Sequence, residues 1–317
     1  MLIILLKKGY FMVNAKALIV IPTYKRPDRI VRAVESALKQ TYDNTTVVVV
    51  DDNGRGTTDQ LKTYDVLKEF IVNKEITYIV NEVNCNGSNS RNNGLFSCES
   101  DYVTFLDDDD EIFPDKIAKQ IAKLEQMGEE YSCCYSSFEK VLENGAVYTS
   151  DENVEGDCYG YALSRSIYLG SGSNLLVRTK VAKDIGGYDG TFKKNQDLEF
   201  FTRMLDGYKL AYVDEVLFRV HYEIRENKMT YDKIMYAENV YVNRFKNDFK
   251  RLGKKKEQAI YRIIACERFR LSLGKGHLLS NIMNMFKNKV GVITLSKYFI
   301  YLVDRVVNKK SYGFKLF

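Results

Sequence analysis

The sequence predicts an α/β protein: a mostly parallel, Rossmann-like sheet flanked by helices, followed by a helical C-terminal extension. Three observations carry this prediction. From Ala17 onward, short β-branched runs alternate with amphipathic stretches, the pattern of strands and crossover helices. The run Val47 to Val50 is wholly apolar, as in a central parallel strand covered on both faces. After Arg225 the pattern turns helical and basic.

The first strand runs from Ala17 to Ile21 and ends at Pro22. Pro27 and Asp28 suit a helix start, and Ile30, Val31, Val34, Ala37 and Leu38 recur on one helical face. Val47 to Val50 ends at Asp51 and Asp52. A third strand, Ile76 to Val80, leads through a Gly/Asn/Ser loop into a helix from about Ser90, and a fourth, Tyr102 to Leu106, ends at Asp107. Polar residues thus gather after strand ends, where open α/β sheets bind ligands. A helix from Pro114 to Gln126, a strand from Tyr131 to Ser136 and a hairpin turn at Asn144-Gly145 follow. The segment 150 to 172 is rich in Gly, Ser and Tyr. A strand at Leu175 to Arg178, a helix from Gln196 to Leu205 and a strand at Val216 to Val220 complete the compact part. The boundaries are an N-terminal extension over 1–16, a domain over 17–222 with halves 17–113 and 114–222, and a basic helical region over 223–317. Met12 is a candidate start, since the first strand begins a few residues later.

A chain of 317 residues, 45% hydrophobic, can bury one large core with an appended helical region. Its six cysteines show no C-x-x-C spacing, which suits reduced thiols and a cytosolic compartment. The opening apolar run of five residues is far short of the roughly 18 needed to cross a bilayer. Net charge is +5 but uneven: residues 223 to 317 hold 21 Lys/Arg against 8 Asp/Glu, leaving 26 against 34 before them. A tail of +13 points toward an anionic surface. Within it Leu295, Phe299, Leu302 and Val306 form an apolar helical stripe, of a kind that more often packs against its own protein than against lipid.

Chemistry concentrates in the run Asp107-Asp108-Asp109-Asp110-Glu111 at a strand end. Four adjacent carboxylates repel one another, and a hard divalent cation bridging carboxylate and phosphate oxygens offsets that cost. The competing reading is that the acids only favour the N-terminus of the following helix, at about 0.3–1 kcal/mol each.

Context adds to this run. Pro22-Thr23-Tyr24-Lys25-Arg26 closes the first strand, Asp51-Asp52-Asn53 closes the second, and Asn86-Gly87 and Arg91-Asn92 precede the acidic run. Downstream, Ile185-Gly186-Gly187-Tyr188-Asp189 leads to Gln196-Asp197-Leu198-Glu199. From Ala17 to His221 the chain therefore resembles family 2 glycosyltransferases of the bacterial surface-polysaccharide type, which have the GT-A fold.

The resemblance implies an inverting transfer from a nucleotide diphosphate sugar, with uracil as the favoured base, to a glycan or lipid-linked acceptor. It implies that Pro22, Thr23, Tyr24 and Arg26 border the nucleotide, that Asp52 accepts a hydrogen bond from the base, and that Arg91 lies near base or phosphate. Asp107 and Asp108 would belong to the nucleotide-sugar site. Asp109 would coordinate Mn²⁺ or Mg²⁺ on the diphosphate, with Asp110 its rival, because Asp108 stands where the family commonly has a small residue and leaves the register open by one. Asp197 would be the catalytic base, and His221 would lie near the metal or diphosphate.

Rival classes are weaker. A dehydrogenase lacks G-x-G-x-x-G after any strand, and a sugar-nucleotide pyrophosphorylase lacks a Gly-rich loop between Pro22 and Lys39. A non-catalytic carbohydrate- or nucleic-acid-binding protein would use the basic tail and the 23 tyrosines, but the front is acidic and no nucleic-acid reader motif is present. The expected location is cytoplasmic, with the tail as a peripheral dock on an anionic membrane.

Overall fold

The computed structural model describes residues 4–5, 10–11, 14–222 and 230–317. Met12 and the stretch just after Arg225 lie outside them. Two short strands, β1 (Ile4–Leu5) and β2 (Tyr10–Phe11), pair with each other apart from the main sheet.

The N-terminal half follows the alternation read from the sequence. Strand β3 (Ala17–Thr23) leads to helix α1 (Ile30–Leu38), β4 (Thr45–Asp51) to α2 (Thr58–Val72), and β5 (Thr77–Val80) to α3 (Gly87–Leu95), before β6 (Tyr102–Phe105). These four strands are parallel, in the order β5, β4, β3, β6. Val47 to Val50 are buried, as a doubly covered central strand requires. Helix α1 begins at Ile30 rather than at Pro27, because residues 24–29 form the loop over the strand ends.

Past β6 the sheet changes direction. A short strand β7 (Asp110–Ile112) precedes α4 (Lys116–Met127), and β8 (Tyr131–Leu142) pairs with β9 (Val147–Ser150) around the Asn144-Gly145 turn. Helix α5 (Tyr159–Leu163) and a single 3-10 turn (Gly172–Asn174) lead to β10 (Leu176–Arg178), antiparallel to both β6 and β8. Helices α6 (Thr179–Asp184) and α7 (Gln196–Met204) precede β11 (Lys209–Tyr222). That last strand is far longer than the five residues expected. Exposed Asp214 and Glu215 interrupt its apolar run at a register shift, and both flanks still pair with β8.

The tail folds into α8 (Tyr231–Arg251), α9 (Lys254–Ser272), α10 (Leu278–Lys287) and α11 (Val292–Val307), then returns as β12 (Lys310–Ser311) alongside β9. It is therefore not purely helical, and it adds a strand to the main sheet. Glu152, itself buried, accepts hydrogen bonds from Lys315 Nζ (2.6 Å) and Gly313 N (3.0 Å), pinning the chain end. Buried Glu238 of α8 pairs with Arg165 and Arg268, tying α8 to the α5 turn and to α9. The expected α11 stripe splits: Phe299 and Val306 face solvent while Leu302 packs inward beside Tyr298 and Tyr301. Among the described residues no helix is long and apolar enough to cross a membrane, and all six cysteines are free thiols.

Candidate active site

The C-terminal ends of β3, β4 and β6 and the start of α7 enclose a cleft of about 540 Å³, a volume suited to a small-molecule ligand. Of the residues expected at the site, Pro22, Thr23, Tyr24, Arg26, Asp52, Arg91, Asp107, Asp108, Asp109 and Asp197 all line it.

Neighbouring loops brace one another here. Lys25 N donates to Asn53 Oδ1 (2.8 Å), joining the β3–α1 and β4–α2 loops. Of the two acids ending β4, Asp51 is turned into the protein, accepting from Tyr78 Oη (2.5 Å) and Asn53 N (2.8 Å), while burial raises its pKa. Asp52 faces the cleft. Its carboxylate is oriented by Asn81 Nδ2 and Cys85 N on Oδ1 and by Asn84 Nδ2 on Oδ2, each at 2.8 Å. Asn86, with φ of 76°, caps α3 by accepting from Ser88 N at 3.0 Å.

The acidic run divides by direction. Asp108 points away from its neighbours, accepting from Thr23 Oγ1 (2.8 Å) and Arg26 Nη1 (2.8 Å); burial pushes its carboxyl up to about 6. Asp107, Asp109 and Asp110 can each bring a carboxylate oxygen within 4.8 Å of the others. Asp107 is held by Arg91 Nη2 (2.5 Å) and Asp109 by Arg26 Nη1 (2.7 Å). Asp110 is buried in β7 and accepts from Ser171 Oγ (2.6 Å) and Ser173 Oγ (2.7 Å). Burial, then the charge of Asp107, raises its pKa well above the carboxylate range. An all-oxygen donor set of three converging carboxylates fits Mg²⁺ or Mn²⁺. The structure thus groups both rivals, Asp109 and Asp110, and turns out Asp108. It does not bring His221 into the group: the imidazole Nε2 lies 3.1 Å from Glu111 Oε2, one residue beyond.

Across the cleft, Asp197 sits in the first turn of α7. Its Oδ1 is sealed from solvent and has no hydrogen-bond partner; burial raises its pKa, opposed by the charge of Arg91. The turn that delivers it is closely fitted. Asn92 holds the Tyr188 backbone by two bonds of 2.8 Å, and a Cβ on Gly187, where φ is +70°, would come within 2.3 Å of Asn92 Oδ1. Tyr188 stacks on Phe200 at 4.2 Å, and the Arg91 guanidinium lies 5.3 Å from the Tyr188 ring. Arg203, paired with buried Glu199, donates to the carbonyls of Ile185 and Gly187, fastening the turn to α7.

Sequence reasoning missed several participants. Lys193 and Lys194 line the cleft just before Asp197, and two lysines ahead of an acid across from an acidic run could have flagged them. Asn84 and Asn86 lie in the recognised Gly/Asn/Ser loop, but Ser171 and Ser173 carried no signal, because their partner Asp110 is some sixty residues away.

A mostly parallel sheet with a polar cleft across its strand ends, acidic on one wall and closed by an acid-bearing helix on the other, defines a nucleotide-sugar transferase of the GT-A type. The comparisons agree: residues 18–186 match the model for glycosyl transferase family 2, and the chain belongs to that family. The amylovoran biosynthesis glycosyltransferase AmsB of Erwinia amylovora is 27% identical over 218 residues, 64% of this chain and 68% of that one. Matched segments span about two thirds of the first curated relatives' own length. Among solved structures, S. aureus TarS in complex with UDP-GlcNAc shares the fold with a TM-score of 0.60 at 16% identity, over 93% of this chain and 81% of that one. The mannosyltransferase PcManGT from Pyrobaculum calidifontis, in complex with GDP-Man and Mn²⁺, gives 0.57 at 14% identity, over 92% and 81%.

Proposed function

We propose that this chain transfers a sugar from a nucleoside diphosphate donor, a UDP-sugar, to a hydroxyl of a glycan or lipid-linked saccharide in surface polysaccharide synthesis, in the cytoplasm and with inversion. The observation that carries the reading is the placement of Asp107, Asp109 and Asp197 on one cleft, with Asp110 behind the first two.

Asp52, fixed by hydrogen bonds from Asn81, Asn84 and Cys85, offers its remaining acceptor edge to a base N–H. Arg26 and Arg91 hold Asp109 and Asp107 in place, and Lys193 and Lys194 bring positive charge to the donor cleft. Asp107, Asp109 and Asp110 would hold Mn²⁺ or Mg²⁺, which when bound neutralises a leaving diphosphate. Asp197 takes the proton of the acceptor hydroxyl as that oxygen attacks the anomeric carbon from the face opposite the nucleotide. Burial supports this role, because it makes the carboxylate more basic than that of an exposed aspartate.

Thermal unfolding of the wild type and Asp109→Asn with UDP, GDP and other nucleoside diphosphates, with and without Mn²⁺, tests the donor site. A ligand at 100 times its Kd adds about 2.7 kcal/mol, a rise of roughly 4 °C for a chain of this size. The expected result is a metal-dependent rise with UDP that the variant loses. A flat response to every nucleotide overturns the assignment, and a response to GDP alone overturns the base.

A further inference from the structure

A second cavity, of about 390 Å³, lies between the tail and the β8–β9 hairpin. Its wall includes Lys140 of β8, Tyr168, Tyr222 at the end of β11, and Arg305 and Val306 of α11. Lys140 and Arg305 are half-buried, and among the described residues neither has a carboxylate partner. They rest on aromatic rings instead: Lys140 Nζ is 3.7 Å from the Tyr222 centroid, and Arg305 lies 5.2 Å from Tyr168 while donating to Tyr301 Oη at 2.7 Å. Burial, then the charge of Arg305, lowers the pKa of Lys140. Among the described residues these two desolvated cations share the cavity without a counter-charge, which makes a site that an anion would neutralise.

This cavity opens beside an apolar surface. Val292, Phe299, Val303 and Val306 lie on one face of α11 by helical spacing, with Ile293, Ile300 and Val307 beside them, and all are exposed. Leu279, Met283 and Phe286 do the same on α10, each more than 70% exposed. Exposed apolar faces of this kind mark interaction sites. Around them, residues 273 to 309 carry six Lys/Arg and one acid. A second copy docked on this face would set those cations against their own counterparts, whereas anionic lipid complements them.

We propose that the exposed face of α11, with that of α10, seats the protein on an anionic bilayer and that Lys140 and Arg305 receive the phosphate of a lipid drawn from it. The location suits an acceptor. Tyr168 is three residues from Ser171, which donates to Asp110, and Tyr222 follows His221, which pairs with Glu111. Three residues span at most about 11 Å, so short stretches of chain link the cavity wall to the acidic cluster. That the lipid is the sugar acceptor rests on the transfer proposed above; its binding does not.

Vesicle flotation of the full chain, without donor, keeps the two tests separate. The vesicles are phosphatidylcholine alone or with about a fifth phosphatidic acid, a phosphate monoester. Binding is expected to rise at least about tenfold with phosphatidic acid and to be lost in Phe299→Asp/Val303→Asp, whose exposed positions tolerate the change. Lys140→Gln/Arg305→Gln should weaken phosphatidic acid binding at least about fivefold more than Lys287→Gln/Lys297→Gln, which removes equal charge from exposed positions. Equal losses overturn the cavity assignment. Stabilisation by inorganic phosphate through Lys140 and Arg305 without vesicle binding overturns the lipid source. A lipid-free dimer that Phe299→Asp dissolves overturns the docking face.

Discussion

Gly172→Ala tests Asp197 as the base without touching its carboxyl group. Gly172 opens the 3-10 turn whose flanking serines hold Asp110, and a Cβ there would meet Asp197 Cγ and Oδ1 at 2.9 Å. Ordinary contact begins near 3.4 Å, so the carboxylate must move by about 0.5 Å. Gly172 does not occupy the left-handed region, so alanine adds no backbone strain, and the crowding costs the fold about 1–3 kcal/mol. Since 1 Å of misplacement costs about 10²-fold in rate, a half-ångström shift predicts a loss of about tenfold or more in kcat. The assay is steady-state transfer at saturating donor and saturating Mn²⁺, with Ser171→Ala/Ser173→Ala run alongside to separate any effect passed to Asp110 through the flanking serines. Asp197→Asn sets the lower bound, with a loss of about 10²–10⁴. A folded Gly172→Ala protein whose kcat stays within about threefold of wild type would refute the assignment.

Removing both donors to Asp110, as Ser171→Ala/Ser173→Ala, should raise the Mn²⁺ concentration for half-maximal activity about tenfold or more, as loss of supporting hydrogen bonds does at other metal sites; an unchanged metal titration counts against Asp110 as a ligand. Lys116, fully buried near Thr104, has its pKa lowered by burial from 10.5 to about 7. The unfolded chain then binds the extra proton between those values, so this group makes stability rise with pH from about 7 to 10.5, by up to about 5 kcal/mol. Denaturant melts should show Lys116→Met more stable at pH 7 with a flatter pH profile, and parallel profiles would contradict this. Gly313→Ala would place a Cβ 2.0 Å from the Ser166 carbonyl oxygen, so it should release the chain end and lower Tm, read against wild type by calorimetry.

Much of the donor half was legible because its signals are local. Val47 to Val50, followed by two acids, marks a central strand and its ligand end, and the Gly/Asn/Ser loop marks a following helix, placed at Ser90 where the Asn86 cap starts it at Gly87; both need only neighbours in sequence. The register of the acidic run was not legible. Asp110 becomes a strand residue only by pairing with Val220, and its serine donors lie beyond two intervening strands. Asp108 departs from the common small residue, but the reason is spatial: Thr23 and Arg26 fill its hydrogen-bonding capacity from another strand end. The α11 stripe failed for a related reason. Helical periodicity shows that a face is apolar, not which way it turns, and here Tyr298 and Tyr301 won the interior while Phe299 and Val306 were left outside.

The tail and the catalytic sheet form one unit, and this bears on what the tail does. Charge alone sets a boundary near residue 223, yet Lys310 and Ser311 pair with β9, Lys315 reaches buried Glu152, and Arg165 and Arg268 meet on Glu238. Removing one partner of such a buried pair costs about 3–5 kcal/mol, so the tail is held rigidly against the domain. A rigid attachment fixes the distance and angle between the exposed α10–α11 face and the cleft. A flexible basic tail would only raise local concentration near an anionic surface; this one would also set which side of the cleft faces that surface. The side it presents is the one carrying Tyr168 and Tyr222, whose chain neighbours Ser171 and His221 contact the acidic residues of β7.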